Sequence, residues 1–169
     1  PAVDGQRYGL KDGKLLFEKQ MPVEECGNMI IMEAAVAVAT RDVSFANEHM
    51  DVLDKWVNYL LENGEDPENQ LCTDDFAGHL ARNINLSAKA VMGVAAFSMI
   101  LENLGHKEEA AQYMEKAKAM GKSWLERAYN GEYSWLSFNG NGWSQKYNLV
   151  WDKLFGWNIL PEEFYKKEL

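Results

Sequence analysis

The stretch MIIMEAAVAVA (Met29–Ala39) carries apolar residues on nearly every side of a helix, and SAKAVMGVAAFSMIL (Ser87–Leu101) repeats this pattern. A helix that is apolar all round is buried all round in a folded domain. Each stretch follows an acidic pair and a glycine, and the two pairs lie 50 residues apart. We therefore predict two inner helices of one core. The first begins near Pro22, because proline in a first helical turn loses no hydrogen bond.

Each of these stretches is followed by a helix of a different kind, which has a single apolar face. Between Phe45 and Glu62, and again between His106 and Tyr129, apolar residues recur at helical spacing while charged residues occupy the other side. The order of buried and one-faced helices predicts stacked helical hairpins in two layers. A shorter buried helix, Gln145–Phe155, and a last polar helix, Glu162–Leu169, are expected to follow.

These patterns divide the chain into an irregular lead-in segment, residues 1–20, and a helical domain, residues 21–169. Alternations of period two are few, so the predicted fold is all-α with almost no sheet. The third buried helix has no complete outer partner. We therefore expect an incomplete helical domain that exposes inner-helix surface and can form homo-oligomers through it.

Charge and composition exclude several classes of protein. The chain has 26 acidic and 17 basic residues among 169, a net charge of −9, which disfavours nucleic acid as a partner. No apolar run reaches the ~18 residues that span a bilayer, so no membrane span is expected. Two cysteines without CxxC spacing and three scattered histidines predict free thiols, no metal site and no cofactor.

Two acidic pairs, Glu24–Glu25 and Asp74–Asp75, are the candidate catalytic residues. Two carboxyl groups in unequal environments can act as general acid and general base, and they can also hold a substrate ammonium group. The alternative is structural, because acidic residues in a first turn stabilise the helix dipole or cap the helix. Cys26 lacks basic neighbours that would favour its thiolate, so it is not supported as a nucleophile.

Further polar and aromatic residues are candidates for substrate binding. Asn28 lies close to the first acidic pair, and His79 follows Asp75 by four residues, so the two can share a helix face. Arg82 can bind a substrate carboxylate or pair with Asp75 or Glu24.

A second group of candidates lies beside the Asn- and Gly-rich segment that precedes residue 143. Trp143, Lys146 and Tyr147 can wall a pocket, or they can form a small aromatic core under a loop.

Three runs of sequence together resemble a known family. They are DGQRYG (Asp4–Gly9), MPVEECGNMIIMEAA (Met21–Ala35) and LCTDDFAGHLARNINLSAKAVMGVAAF (Leu71–Phe97). The resemblance is to the C-terminal helical domain of the glutaminase A family, which includes fungal secreted glutaminases and Bacteroides-type homologues. It implies an (α/α)6 toroid, in which outer helices surround inner ones, similar to six-hairpin glycosidases. The chain holds fewer helices than six hairpins need, so a partial toroid, a fragment of a longer protein, is expected.

The resemblance also implies a reaction and a location. The reaction would be hydrolysis of L-glutamine, a small-molecule substrate, to glutamate and ammonia, in an extracellular or periplasmic protein. In such toroids the cleft lies at the N-terminal ends of inner helices, and the residues facing it would be Glu24, Glu25, Asn28, Asp74, Asp75 and His79. One carboxylate would activate water and another acid would protonate the leaving ammonia.

Two other functions stay open at this point. A glycoside hydrolase would use the same acidic pairs, with the aromatic group near Trp143 stacking on sugar rings. A non-catalytic helical scaffold would need neither, because a fold does not fix a function. We expect the 169-residue chain to be inactive in isolation.

Overall fold

The structure, a computed structural model, describes residues 10–15, 20–72 and 78–168. Its helices are α1 Pro22–Thr40, α2 Ser44–Glu48, α3 Met50–Asn63, α4 Ile84–Asn103, α5 Lys107–Ala128, α6 Val150–Phe155 and α7 Glu162–Glu168. A short 3-10 helix, Tyr147–Leu149, leads into α6. Two strands, β1 Leu10–Lys11 and β2 Lys14–Leu15, pair antiparallel within the segment for which we predicted no regular structure.

Helix α4 lies at the centre of the domain. It packs against α1, α3, α5 and the 3-10 helix, and it is buried on every side, as the sequence predicted. Within the described ranges it is the one helix long and apolar enough to cross a membrane, whereas we expected no segment of that length. However, 94% of its apolar window is buried inside the protein, so α4 has the environment of a core helix.

Two glycines allow α1 and α4 to approach closely. A Cβ atom on Gly93 would lie only 3.3 Å from the Cα atom of Gly27 and 2.6 Å from Cδ1 of Leu60 in α3. The contacts between α1 and α4 pair Glu24 with Lys89, and Gly27 with Gly93. Gly27 follows Glu24 in α1, and its partner Gly93 follows Lys89 in α4. Because the contacts progress in the same order along both helices, α1 and α4 run in the same direction. Their N-terminal ends therefore lie at one end of the domain.

The prediction that the first inner helix is buried all round is wrong. Ile30 and Ala34 are buried, but Met29, Met32 and Val36 are 47%, 57% and 52% exposed. These three residues recur at intervals of three and four, so they share one face of α1. We call them the α1 face. The sequence pattern of α1 matches that of α4, but α4 has neighbours on all sides and α1 does not.

The single helix predicted from Phe45 to Glu62 is also wrong, because the structure has two helices, α2 and α3. At the break, Nδ1 of His49 lies 2.8 Å from the carbonyl oxygen of Phe45, and the rings of the two residues stack. The His49 N–H instead donates to the oxygen of Ala46, at 3.1 Å. In a continuous helix the Phe45 carbonyl would accept a hydrogen bond from the His49 N–H. Here the imidazole ring of His49 contacts that carbonyl instead.

Candidate active site

The N-terminal ends of α1 and α4 are polar, although the helices are otherwise apolar. The Val23 N–H donates to Oε1 of buried Gln70 at 3.1 Å, and the Leu86 N–H donates to Oδ1 of Asn83 at 3.0 Å. These side chains satisfy N–H groups that a helix leaves unpaired in its first turn. Polar side chains from the first turns of both helices consequently gather at this end of the domain.

A buried ion pair joins the two helices at this end. Oε1 of Glu24 lies 3.1 Å from Nζ of Lys89, and the two side chains are 4% and 6% exposed. Lys89 Nζ also donates to Oδ1 of Asn28, whose Nδ2 donates to Oε1 of Glu24 at 3.4 Å. Charged side chains are almost never fully buried unless they are paired. Glu24, Asn28 and Lys89 form the charged centre of the candidate site, and we call them the charged triad.

Glu25 follows Glu24 in the same helical turn, but its side chain is exposed. Partial burial and the neighbouring Glu24 carboxylate raise the pKa of the Glu25 carboxyl above its usual range. Two adjacent glutamates therefore occupy unequal environments: Glu24 is buried against a lysine, whereas Glu25 is accessible and has a raised pKa. General acid–base catalysis uses this kind of difference.

Cys26 is a neutral thiol near pH 7. Burial and the Glu25 carboxylate raise the pKa of this thiol to about 11. Because the thiolate is the nucleophilic form of cysteine, the site gives Cys26 no role as a nucleophile.

The charged triad contains an ammonium group rather than a metal site. Among the described residues, no group of three His, Cys, Asp or Glu side chains could hold a metal ion. The Glu24 carboxylate is instead neutralised by Lys89.

The remaining candidates of the acid–base site are the second acidic pair and His79. Asp74 and Asp75 lie outside the described residues, so their catalytic role stays a prediction. His79 is exposed and lies outside any helix, since α4 begins at Ile84. The prediction that Asp75 and His79 share a helix face is therefore wrong.

Arg82 contacts partners that the sequence did not indicate. Its Nη2 lies 2.9 Å from Oδ2 of Asp66, and its Nη1 donates to Oδ1 of Asn139 at 2.9 Å. The prediction left Asp75, Glu24 or a substrate carboxylate as partners. Asp66 also contacts Arg127 of α5, with 3.4 Å between Oδ2 and Nη1. Arg82 thus joins the loop after α3 to the loop around residue 139.

Lys146 and Trp143 contact one another near the C-terminal helix. Nζ of Lys146 lies 4.8 Å from the ring centroid of exposed Trp143 and 2.8 Å from Oε2 of Glu168. Lys146 and Tyr147 line a cavity of about 300 Å³ between the 3-10 helix and α7, with Leu149 and Phe164 among its apolar lining. Lys146 and Tyr147 thus line a cavity, whereas Trp143 is not among its lining residues, and the exposure of Trp143 and Tyr147 does not match the alternative of a small aromatic core.

Asn148 connects this second group to α4. It is buried and donates to the backbone oxygen and to Oδ1 of Asn85, both at 3.0 Å. Because Asn85 lies in the first turn of α4, the 3-10 helix reaches the end of α4 that also carries Lys89.

Two residues of this site, Lys89 and Asn148, were not identified from the sequence. Lys89 had a usable signal, because it is the single charged residue within the apolar stretch Ser87–Leu101. A lysine inside a buried helix requires an anionic partner. Asn148 gave no such signal, since asparagine is common near loops.

The fold and the site together define an all-α protein of stacked helical hairpins, with a polar centre at the N-terminal ends of its inner helices. The family described as "Glutaminase A six helical-hairpin domain" matches residues 1–169, and the chain belongs to this family. This finding confirms the family resemblance and the all-α toroid class that we inferred from the sequence.

Two named relatives share the sequence over most of the chain. Glutaminase A of Aspergillus oryzae is 36% identical over 153 residues, which cover 88% of this chain and 22% of the relative. A "Probable glutaminase" of Arthroderma benhamiae is 26% identical over 215 aligned positions, which cover 92% of this chain and 25% of the relative. The chain thus spans about a quarter of the length of these relatives. No solved structure matches the chain.

Proposed function

We propose that this domain takes part in hydrolysis of the side-chain amide of L-glutamine, which yields glutamate and ammonia. The observation that carries the proposal is the unequal environment of Glu24 and Glu25 at the shared end of the inner helices. Both named relatives are called glutaminases, which favours an amide over a glycosidic bond as the target. An extracellular or periplasmic location rests on the family resemblance and belongs to the same proposal.

In this mechanism Glu25 exchanges protons. Its carboxylate takes a proton from the attacking water, whose oxygen bonds to the amide carbon. The carboxyl then returns this proton to the nitrogen, which leaves as ammonia when the carbon–nitrogen bond breaks. Glu24 is held against the Lys89 ammonium group, with 3.1 Å between Oε1 and Nζ, and takes no part in this proton exchange. Asp74 and Asp75 stay candidates for a second acid–base group.

The test is ammonia release from L-glutamine, measured side by side with the 169-residue chain and with the full polypeptide that its gene encodes. We expect the full polypeptide to release ammonia and the 169-residue chain to be inactive. Circular dichroism of both proteins would verify that they are folded. If a folded full polypeptide releases no ammonia, the proposal fails and a panel of glycosides is assayed next.

We also propose that the 169-residue chain self-associates through the α1 face. Burial of apolar side chains favours association by about 25 cal/mol for each Å² removed from water. Tyr147, Val150 and Leu154 form another exposed apolar row, on the 3-10 helix and α6, and we propose it as the surface of a second copy that receives the α1 face.

Light scattering over a range of concentrations should therefore show a mass that rises with concentration. Met32→Lys should keep the chain monomeric, because it places a charge in the centre of the α1 face. Asn58→Lys is the matched control, since it adds the same charge on the exposed side of α3. A chain that stays monomeric at every concentration would refute self-association.

A further inference from the structure

Lys89 lies in the second turn of the core helix α4, among buried residues, where an apolar side chain would suit the surrounding packing. A Cβ atom on Gly27 would lie 2.5 Å from Cγ of Lys89 and 3.0 Å from its Cδ. The stem of Lys89 therefore occupies the space left by the missing side chain of Gly27. Gly27 of α1 and Lys89 of α4 together place this ammonium group against Glu24.

Stability alone does not explain this arrangement. Removing two charges from water is costly, and replacing a buried ion pair by packed apolar residues is often neutral or stabilising. The Glu24–Lys89 pair is nonetheless placed beside an exposed carboxyl group, that of Glu25. The pair therefore points to a role in the chemistry of the candidate site.

We propose that Lys89 is a positioning residue that divides the roles of the two glutamates. It holds the Glu24 carboxylate in place, and it leaves Glu25 as the carboxyl that exchanges protons with the substrate. Lys89 also orients the Asn28 amide, whose oxygen faces Lys89 and whose nitrogen faces Glu24. The catalytic part of this inference rests on the proposed glutaminase function, whereas the division of roles can be tested without substrate.

Two further titratable groups, the Cys26 thiol of α1 and the Tyr59 phenol of α3, have shifted pKa values. On α1 the pKa of the Cys26 thiol is raised by burial and by Glu25. On α3 the pKa of the Tyr59 phenol is raised by burial, by Glu68 of the following loop and by Cys26. Both groups are therefore neutral near pH 7, and neither adds a negative charge beside Glu24 and Glu25.

The first test measures proton binding in the 169-residue chain, by ¹³C NMR of labelled glutamate carboxyl carbons. Lys89→Met keeps an unbranched stem beside Gly27 but removes the charge. We expect the Glu24 carboxyl, now buried without the Lys89 ammonium group, to titrate at least ~2 pH units higher than in the wild type. Lys89→Arg keeps the charge and should preserve the wild-type titration. An unchanged Glu24 titration in Lys89→Met would overturn the proposal.

If Lys89→Met alone does not fold, the double variant Glu24→Gln/Lys89→Met replaces it, because it contains no unpaired buried charge. This protein lacks both charges of the pair, and we expect the Glu25 carboxyl to titrate at a lower pH than in the wild type, because Glu24 is the charged group that raises the Glu25 pKa. An unchanged Glu25 titration in the double variant would contradict the proposed influence of Glu24 on Glu25.

The second test measures glutamine turnover in the full polypeptide. We expect Lys89→Met to lower kcat by about 10- to 100-fold with little change in KM. The double variant should recover stability but not kcat, whereas a purely structural role predicts that both recover together. If the wild-type full polypeptide does not hydrolyse glutamine, the glutaminase proposal fails, but the NMR test of the two glutamates keeps its meaning. Full turnover in a folded Lys89→Met variant would refute the role of Lys89.

Discussion

Glu25→Gln is expected to change activity and stability in opposite directions. Ammonia release by the full polypeptide should fall by about 10²- to 10⁴-fold, the range for loss of a positioned acid–base group. The free energy of unfolding at pH 7 should rise, because glutamine removes a charge that the folded chain holds beside the ionised Glu24. A residue that serves catalysis often lowers stability in this way.

The expected pH dependence of stability follows from the direction in which the pKa of the Glu25 carboxyl is shifted. Glu25 has a higher pKa in the folded chain than in the unfolded chain, so between the two values the folded chain binds more protons. Stability consequently falls as pH rises through this window. Below the unfolded value of about 4.3, Glu25 is protonated in both states and its charge no longer destabilises the folded chain.

Urea unfolding at pH 3.5 and pH 7 would test this difference between the variant and the wild type. Glu33→Gln is the matched control, because Glu33 lies on α1 with a pKa also raised by burial, but away from the charged triad. The control should leave ammonia release unchanged. Full activity of Glu25→Gln, or a loss of stability at pH 7, would contradict the assignment.

Gly27→Ala is expected to destabilise the chain, although alanine favours a helix by about 1 kcal/mol over glycine. The new Cβ would lie 2.5 Å from Cγ of Lys89, whose ammonium group is held by Glu24 and Asn28. Overpacking of this kind costs about 1–3 kcal/mol, so the net effect should be a loss of stability. Chemical denaturation of the variant and the wild type would measure it.

A double-mutant cycle identifies the cause of this loss. In a Lys89→Ala background the clashing stem is absent, and Gly27→Ala should cost much less than in the wild type. The remaining close contact is with the backbone oxygen of Lys89, at 3.3 Å. Equal costs in both backgrounds would show that the destabilisation does not come from the Lys89 stem.

The periodicity of apolar residues predicted most of the fold, because helical spacing records which sides of a helix are buried. It predicted the start of α1 and the fully buried α4. It failed where burial depends on neighbours, as on the α1 face, or on a local contact, as at His49. An apolar stripe looks the same in the sequence whether a neighbouring helix covers it or not.

The candidate site was less predictable. The sequence placed Glu24 and Glu25 at a helix start, but it did not show which of them is buried. Lys89 and Asn28 are separated by 61 residues, and they meet because Gly27 and Gly93 set the register of α1 against α4. A register of this kind arises from packing between distant segments, and no local pattern in the chain encodes it.

The glycine contact between α1 and α4 has a consequence for how the site could be altered. Since the main chains nearly touch at Gly27 and Gly93, the spacing of the charged triad is fixed by backbone rather than by side-chain rotamers. The 3-10 helix, in contrast, is tied to α4 by hydrogen bonds from the Asn148 side chain. Substitutions, in nature or in the laboratory, should therefore be tolerated more readily around Tyr147 than within the charged triad.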